Sequence, residues 1–361
     1  MYKLLDCTLR DGGYHNLWNF PPKVVNEYLQ AMSECNIDIV EIGFRSSNIS
    51  NTKGPLAFSD EVYLQTLNIP SNLKIAVMIN ASEFLNMQDS LESQVNKLLP
   101  NQERKSVVDF VRIACHINEF EDALPLSNLI SKKGFKVGFN IMQFSELNEK
   151  LIKKFCKRAK NFPIDVLYFA DSLGSLEPKD IERKISLIKS FWDRDIGIHT
   201  HDNLGLALLN SMKAIKCGVK YVDSTVSGMG RGPGNARTEE LLFETKEIKG
   251  GNLNFSRLSK IIFDYFKPLQ KELEWGSNFF YFLAGKKKIH PTYIQEILKN
   301  HTLNNNDILT YIDYLDKIDS RKFRPNLLKL VKENKDYSVI KSTSVKLSEL
   351  INKIKIISLR A

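Results

Sequence analysis

Eight short runs of apolar and β-branched residues recur along the first two-thirds of the chain, and this cadence constrains the fold more than any other feature. The runs begin near Lys3, Ile37, Leu73, Phe110, Lys136, Asp165, Asp195 and Lys220. Successive starts lie 25 to 37 residues apart, enough for a strand and a returning helix. Several runs, such as IDIVEIGF and DVLYFADS, are almost continuously apolar, as strands buried on both faces of a parallel sheet must be. Between them lie helical patterns: Val24, Val25, Tyr28, Leu29 and Met32 fall on one helix face, as do Leu204, Leu208, Met212 and Ile215. Eight β-α units in about 250 residues predict a TIM (β/α)8 barrel over residues 1–250. The alternative is an open doubly wound sheet, which usually has fewer strands.

After Gly250-Gly251 the strand rhythm stops, and residues 251–361 read as a helical C-terminal extension with a helix entry at Asn304 to Asp307. The net charge of +9 raises the question of an anionic partner. Residues 321–361 hold 11 Lys and Arg against three acidic residues, so almost all of the excess is local to the tail. The tail lysines alternate with Leu, Val and Ile rather than with stacking aromatics, which argues against nucleic acid. No apolar run is long enough to cross a membrane, and the N-terminus lacks the layout of a secretory signal. Five scattered cysteines without a C-x-x-C pair predict neither a disulfide framework nor a thiolate zinc site; a cytoplasmic protein is the expectation.

In such a barrel the chemistry sits where strands end. The first run ends in Thr8-Leu9-Arg10-Asp11-Gly12-Gly13, and the seventh in His199-Thr200-His201-Asp202-Asn203. Residues i and i+2 of a strand share a face, so His199 and His201 project together about 6–7 Å apart, suited to one metal ion or to a hydrogen-bonded core pair. Asp11 is the best candidate for a third, oxygen ligand. Two histidines and a carboxylate suit Mg²⁺ or Mn²⁺, with Zn²⁺ and Fe²⁺ also compatible. Glu41 lies inside an apolar run, where an unpaired carboxylate is costly, so an Arg from the next strand is its expected partner. The loop Gly228 to Asn235 is glycine-rich; it fits a phosphate cradle or a turn that brings Asn235 to a metal or carboxylate.

TLRDGG, Glu41, HTHDNLG and GMGRGPGNA, in this order, resemble the motifs of the DRE-TIM metallolyases. That superfamily holds hydroxymethylglutaryl-CoA lyase, isopropylmalate and homocitrate synthases, pyruvate carboxyltransferase domains and 4-hydroxy-2-oxovalerate aldolase. The resemblance implies that Asp11, His199, His201 and Asn235 hold a divalent metal, that Arg10 stabilises an enolate, and that Glu41 holds Arg10. It further places Ser172 and His116 beside the substrate. The loop from Val226 to Asn235 is short and lacks the cysteine of the CoA-ester lyases. Together with Asp171-Ser172-Leu173-Gly174 it looks nearest to the aldolases. These carry a histidine base three residues after the metal aspartate; here that position is Tyr14, followed by His15. Tyr14 or His15 is thus the expected proton carrier, and Tyr281 or Tyr293 a candidate C-terminal tyrosine. The resemblance implies a metal-dependent aldolase making or breaking a 4-hydroxy-2-oxo acid, its partner a small 2-oxo acid. A Claisen-type acyltransferase joining an acyl-CoA to a 2-oxo acid and a non-catalytic binding barrel are the alternatives. The helical extension could form a homodimer interface.

Overall fold

The computed structural model describes residues 2–48, 50–86, 89–100, 106–249 and 253–328, with side chains left out at 246–249. Most of the basic tail, residues 329–361, lies outside them. Eight parallel strands close into a barrel in chain order: β1 Lys3–Asp6, β2 Ile39–Phe44, β3 Lys74–Asn80, β4 Phe110–Cys115, β5 Lys136–Ile141, β6 Val166–Asp171, β7 Asp195–Thr200 and β8 Tyr221–Ser224. Strand β1 pairs with both β2 and β8, which closes the ring. The eightfold cadence therefore makes a TIM barrel, and the open-sheet alternative is excluded.

Helices return the chain outside the ring. Helix α1, Pro22–Glu34, opens with proline at its first position and buries Val25, Tyr28, Leu29 and Met32. Helices Phe120–Lys132, Glu149–Ala159, Pro178–Lys189, Ala207–Lys216 and Thr238–Lys249 follow β4 to β8. An aspartate opens several strands and fixes a neighbour: Asp38 accepts from the Leu4 amide at 2.8 Å, Asp109 from Ile75 at 3.0 Å and Asp165 from Val137 at 2.7 Å. Each satisfies a strand-end N–H that would otherwise be orphaned.

The barrel interior is layered. Leu5, Ile39, Ala76, Phe110, Val166 and Tyr221 belong to an apolar cluster inside the ring. Two residues further along the even strands come Glu41, Arg112, Tyr168 and Asp223, on the same inward faces. Even-strand residues normally fill such a four-membered layer with branched apolar side chains; here three of the four carry charge. Gly197 on β7 makes room, because a Cβ there would lie 2.4 Å from the Tyr168 ring.

The chain divides into two compact units, 1–277 and 278–361. Helices Ser256–Ile261 and Lys267–Leu273 belong to the first, where Arg257 pairs with Glu27 and Glu34 of α1. The second unit has its own core of Tyr281, Ala284, Ile289, Tyr293, Ile294, Ile297, Ile308, Tyr311, Ile312 and Leu315. Asn304 caps its helix Asn305–Lys317 by accepting from the Asn306 and Asp307 amides. Tyr293 is fully buried there, donating to the Lys322 carbonyl and accepting from the Arg324 amide.

Candidate active site

The C-terminal mouth of the barrel is built from residues that the strands release into short turns. After β1 a single helical turn, Thr8–Asp11, carries Arg10 and Asp11. Asp6 holds that turn: it accepts from the Thr8 amide at 2.8 Å, from the Tyr28 hydroxyl of α1, and from the Thr238 hydroxyl. The Trp18 indole donates to the Arg10 carbonyl at 2.8 Å, fixing the backbone from the other side.

Arg10 is buried and doubly paired, with Glu41 at 2.6 Å through Nε and with Asp11 through Nη1. Glu41 has a second cation, Arg112 of β4, at 3.2 Å. The partners of Glu41 thus come from the β1 turn and from β4, not from the next strand β3, whose inward positions are Ala76, Met78 and Asn80. Arg112 pairs in turn with Asp223 at 2.7 Å and lies over the Tyr168 ring, 3.9 Å from its centroid. Asp223 reaches His199 Nδ1 at 3.0 Å, and His199 Nε2 lies 3.8 Å from Asp11 Oδ2. Asp11, Arg10, Glu41, Arg112, Asp223 and His199 therefore form a closed loop in which carboxylates alternate with arginines or the imidazole, almost wholly withdrawn from water.

Asp11, His199 and His201 bring their ligand atoms within 4.8 Å of one another. Asn235 adjoins them, its amide nitrogen 3.1 Å from His199 Nε2 and 3.2 Å from the Thr200 carbonyl. Asp11 Oδ2 and Asn235 Oδ1 are both buried without a hydrogen-bond partner. Both face the space beside Gly230, where a Cβ would lie 1.9 Å from Asn235 Oδ1 and 2.7 Å from Asp11 Oδ2. Two orphaned oxygens and two imidazoles around a space that only glycine leaves open fit a divalent cation. Protonation agrees with this. Burial pushes the Asp11 carboxyl up, but Arg10, with His199, His201 and Arg231, holds it well below the usual carboxylate range. Burial, reinforced by His199 and Arg231, takes His201 well below an ordinary imidazole, so it is neutral and free to ligate. Asp223, bonded to the far nitrogen of His199, directs Nε2 to the site. Cys7 also lies near His199 and Asp223, but burial raises its thiol well above the ordinary value and keeps it protonated.

A cavity of about 50 Å³ opens beside these groups, lined by Arg10, Asp11, Tyr14, Ser172, His199, His201 and Arg231 among others. Ser172 accepts from the Gln143 amide at 3.0 Å, which leaves its proton for a ligand. Tyr14 lines the cavity and packs edge-on against Trp18 and Phe44. His15 does not line it: its Nε2 meets the Gly230 carbonyl at 2.7 Å, and its ring lies against Trp275. His116 is also outside, as the cap of the turn Ile117–Glu119; Ala114 is the β4 residue at the cavity wall. Arg112 and Asp223 of the loop, and Arg231, Asn80 and Asn140 of the cavity lining, were not foreseen. For Arg112 and Asp223 the signal existed, since each is a charge inside an apolar run, as Glu41 is.

A closed eight-stranded barrel with a two-histidine, one-carboxylate cluster at its C-terminal mouth defines a barrel enzyme of the metal-binding kind. Residues 1–262 match the HMGL-like family model, and the chain belongs to that family. Among its relatives, 4-hydroxy-2-oxovalerate aldolase of Carboxydothermus hydrogenoformans is 29% identical over 66% of this chain and 69% of its own length. Oxaloacetate decarboxylase of Mycobacterium tuberculosis is 26% identical over 66% and 68%. The solved N-terminal domain of a protein assigned as an aldolase from Bacteroides vulgatus matches with TM-score 0.73 and 34% identity, over 83% of this chain and 97% of that one. Among the described residues no helix is long and apolar enough to cross a membrane.

Proposed function

We propose that the chain is a divalent-metal-dependent aldolase that cleaves or forms the C3–C4 bond of a 4-hydroxy-2-oxo acid, giving pyruvate and an aldehyde or joining them. The observation that carries this reading is the convergence of Asp11 Oδ2, Asn235 Oδ1, His199 and His201 beside a cavity walled by Arg10. Relatives named as 4-hydroxy-2-oxovalerate aldolases support it. Asp11, His199, His201 and Asn235 would hold the ion; two oxygens and two imidazoles, with water in the remaining positions, suit Mn²⁺ or Mg²⁺, with Zn²⁺ also compatible. When bound, the ion supplies Lewis-acid polarisation of the 2-oxo group.

The remaining work falls to side chains on the cavity wall. Arg10 has Nε and Nη1 engaged and Nη2 without a hydrogen bond, aligned by Glu41 and Asp11 before substrate arrives. A pre-paired guanidinium costs no reorganisation when charge develops on the enolate oxygen. Ser172 donates to the oxo acid. Arg231, whose buried Nε has no partner, faces the carboxylate. In cleavage the C4 hydroxyl passes its proton to the Tyr14 oxygen as Tyr14 hands its own to water at the cavity mouth. The C3–C4 pair passes to the pyruvate fragment as an enolate that a water proton then quenches at C3, and the aldehyde leaves. Of the two proton carriers, the geometry favours Tyr14 over His15, because Tyr14 lines the cavity. Burial raises its phenol above the ordinary value, against the pull of Arg231, so it is protonated and suited to give its proton to the aldehyde oxygen in the condensing direction. The test is pyruvate release from 4-hydroxy-2-oxo acids with added Mn²⁺. Turnover that survives His199→Ala or complete chelation would sink it.

A further inference from the structure

The cavity wall opposite the candidate metal ligands carries two amides that nothing in the proposed chemistry uses; Asn80 of β3 already donates to Glu83 at 3.2 Å, and the other has no such partner. Asn140 of β5 is 5% exposed and lines the cavity, and its Oδ1 is buried without a hydrogen-bond partner. Its neighbours on that wall, Ala114, Met142 and Ala170, offer no side-chain hydroxyl, amide or charge. Leaving such an amide unsatisfied is costly, and buried polar groups without protein partners mark the place of a ligand or water.

Barrel order says which part of a ligand reaches it. β5 stands four strands from β1 around the closed ring. Asp11 follows β1, His199 and His201 end β7, and Asn235 follows β8. A 2-oxo acid held at those groups and Arg10 spends its metal-facing oxygens on the β1, β7 and β8 side, with Ser172 after β6 at the edge next to β5. What crosses to β5 is the other half of the molecule.

We infer that Asn140 binds a hydroxyl group on the aldehyde half, so that the preferred substrates are adducts of 2-hydroxyaldehydes rather than of simple alkanals. The inference rests on the aldolase reading above. An amide presents both a donor and an acceptor, and a hydroxyl one carbon beyond the carbonyl answers both. Sites that hydrogen-bond a substrate hydroxyl reject the analogue lacking it strongly, because the buried partner is left unpaired.

Glycolaldehyde and acetaldehyde differ only by that hydroxyl, and condensation of each with pyruvate in the presence of Mn²⁺ compares them directly. The expected result is a kcat/KM for glycolaldehyde about 10- to 100-fold above that for acetaldehyde. Asn140→Leu, and Asn140→Ala as a second variant, should remove the difference by lowering glycolaldehyde turnover, leaving acetaldehyde within about threefold of wild type. No preference in the wild type, or an equal loss for both aldehydes in both variants, overturns the assignment. Deuterium exchange into the pyruvate methyl group, followed by NMR, separates the two levels. Exchange without aldehyde discrimination refutes the role of Asn140 alone; absence of exchange refutes the aldolase reading and this inference with it.

Discussion

Arg112 is the centre of the charged layer, and its removal tests whether that layer is one network. The guanidinium is fully buried and faces Glu41, Asp223 and the Tyr168 ring. In Arg112→Met, Glu41 keeps Arg10, but Asp223 loses the one arginine that it pairs with among the described residues. Stranding one buried carboxylate costs about 3–5 kcal/mol, a large share of the roughly 5–15 kcal/mol that holds a typical domain folded. The pH dependence should change sign. In the wild type the Asp223 carboxyl, though raised by burial, is held below its ordinary value by Arg112 and His199. It therefore contributes stability above the unfolded pKa of about 3.9 and loses it as pH falls through the folded value. In the variant burial is unopposed by Arg112, the pKa rises, and stability should be regained as pH drops from 7 toward 5. All three tryptophans, Trp18, Trp192 and Trp275, are buried in the first unit, so urea unfolding of the chelated protein followed by tryptophan fluorescence reads the barrel alone. Asp223→Asn in the Arg112→Met background should recover part of the loss, with a coupling of at least about 1 kcal/mol. A loss below about 1 kcal/mol, or additivity of the two changes within about 0.5 kcal/mol, would refute the network.

Other perturbations probe separate parts of the site. Gly230→Ala should lower Mn²⁺ affinity at least about tenfold with unchanged fluorescence of the fold, because the methyl group enters the space between Asp11 and Asn235; titration calorimetry decides, and unaltered affinity would contradict the assignment. Arg231→Ala should raise KM for the 2-oxo acid about tenfold while kcat changes less; an unchanged KM would place its charge elsewhere. Asp171, raised to about 6 by burial against the Leu176 and Ser175 amides, stays protonated in the fold where the unfolded chain has ionised. Its contribution to stability therefore falls as pH climbs from about 4 to about 6. Asp171→Asn should accordingly gain on the wild type across that window, by up to about 3 kcal/mol; a difference that moves the other way would refute the shift.

The barrel was legible because burial on both faces leaves apolar runs too short for a helix, repeated at a spacing that a β-α unit explains. His199 and His201 were legible because two residues along a strand is a fixed geometry. Tyr14 and His15 were not separable, since the turn after Asp11 decides which one meets the cavity, and side-chain direction in a tight turn follows no sequence period. His116 shows the same limit, a histidine at a strand end that is used to cap the next turn. Glu41 announced that it needed a cation but not which one: its partners come from β1 and β4, around the ring rather than along the chain. Asn140 gave no signal in sequence, for a single asparagine in a strand becomes unusual only once its surroundings prove dry.

The aspartates at the strand starts act as a ruler. Asp38 precedes Glu41 by three residues, Asp109 precedes Arg112 by three, and Asp165 precedes Tyr168 by three. Each is anchored to a neighbouring backbone amide at the end of the barrel remote from the chemistry. The depth of the charged layer is thus measured off from below, in residues, and not adjusted from the mouth. One residue added between Asp109 and Arg112 would turn the guanidinium toward the outer helices and leave Glu41 and Asp223 without it. Loops at the mouth can lengthen or change while the ruler keeps its marks, so altered aldehyde preference is open to this scaffold where altered strand length is not.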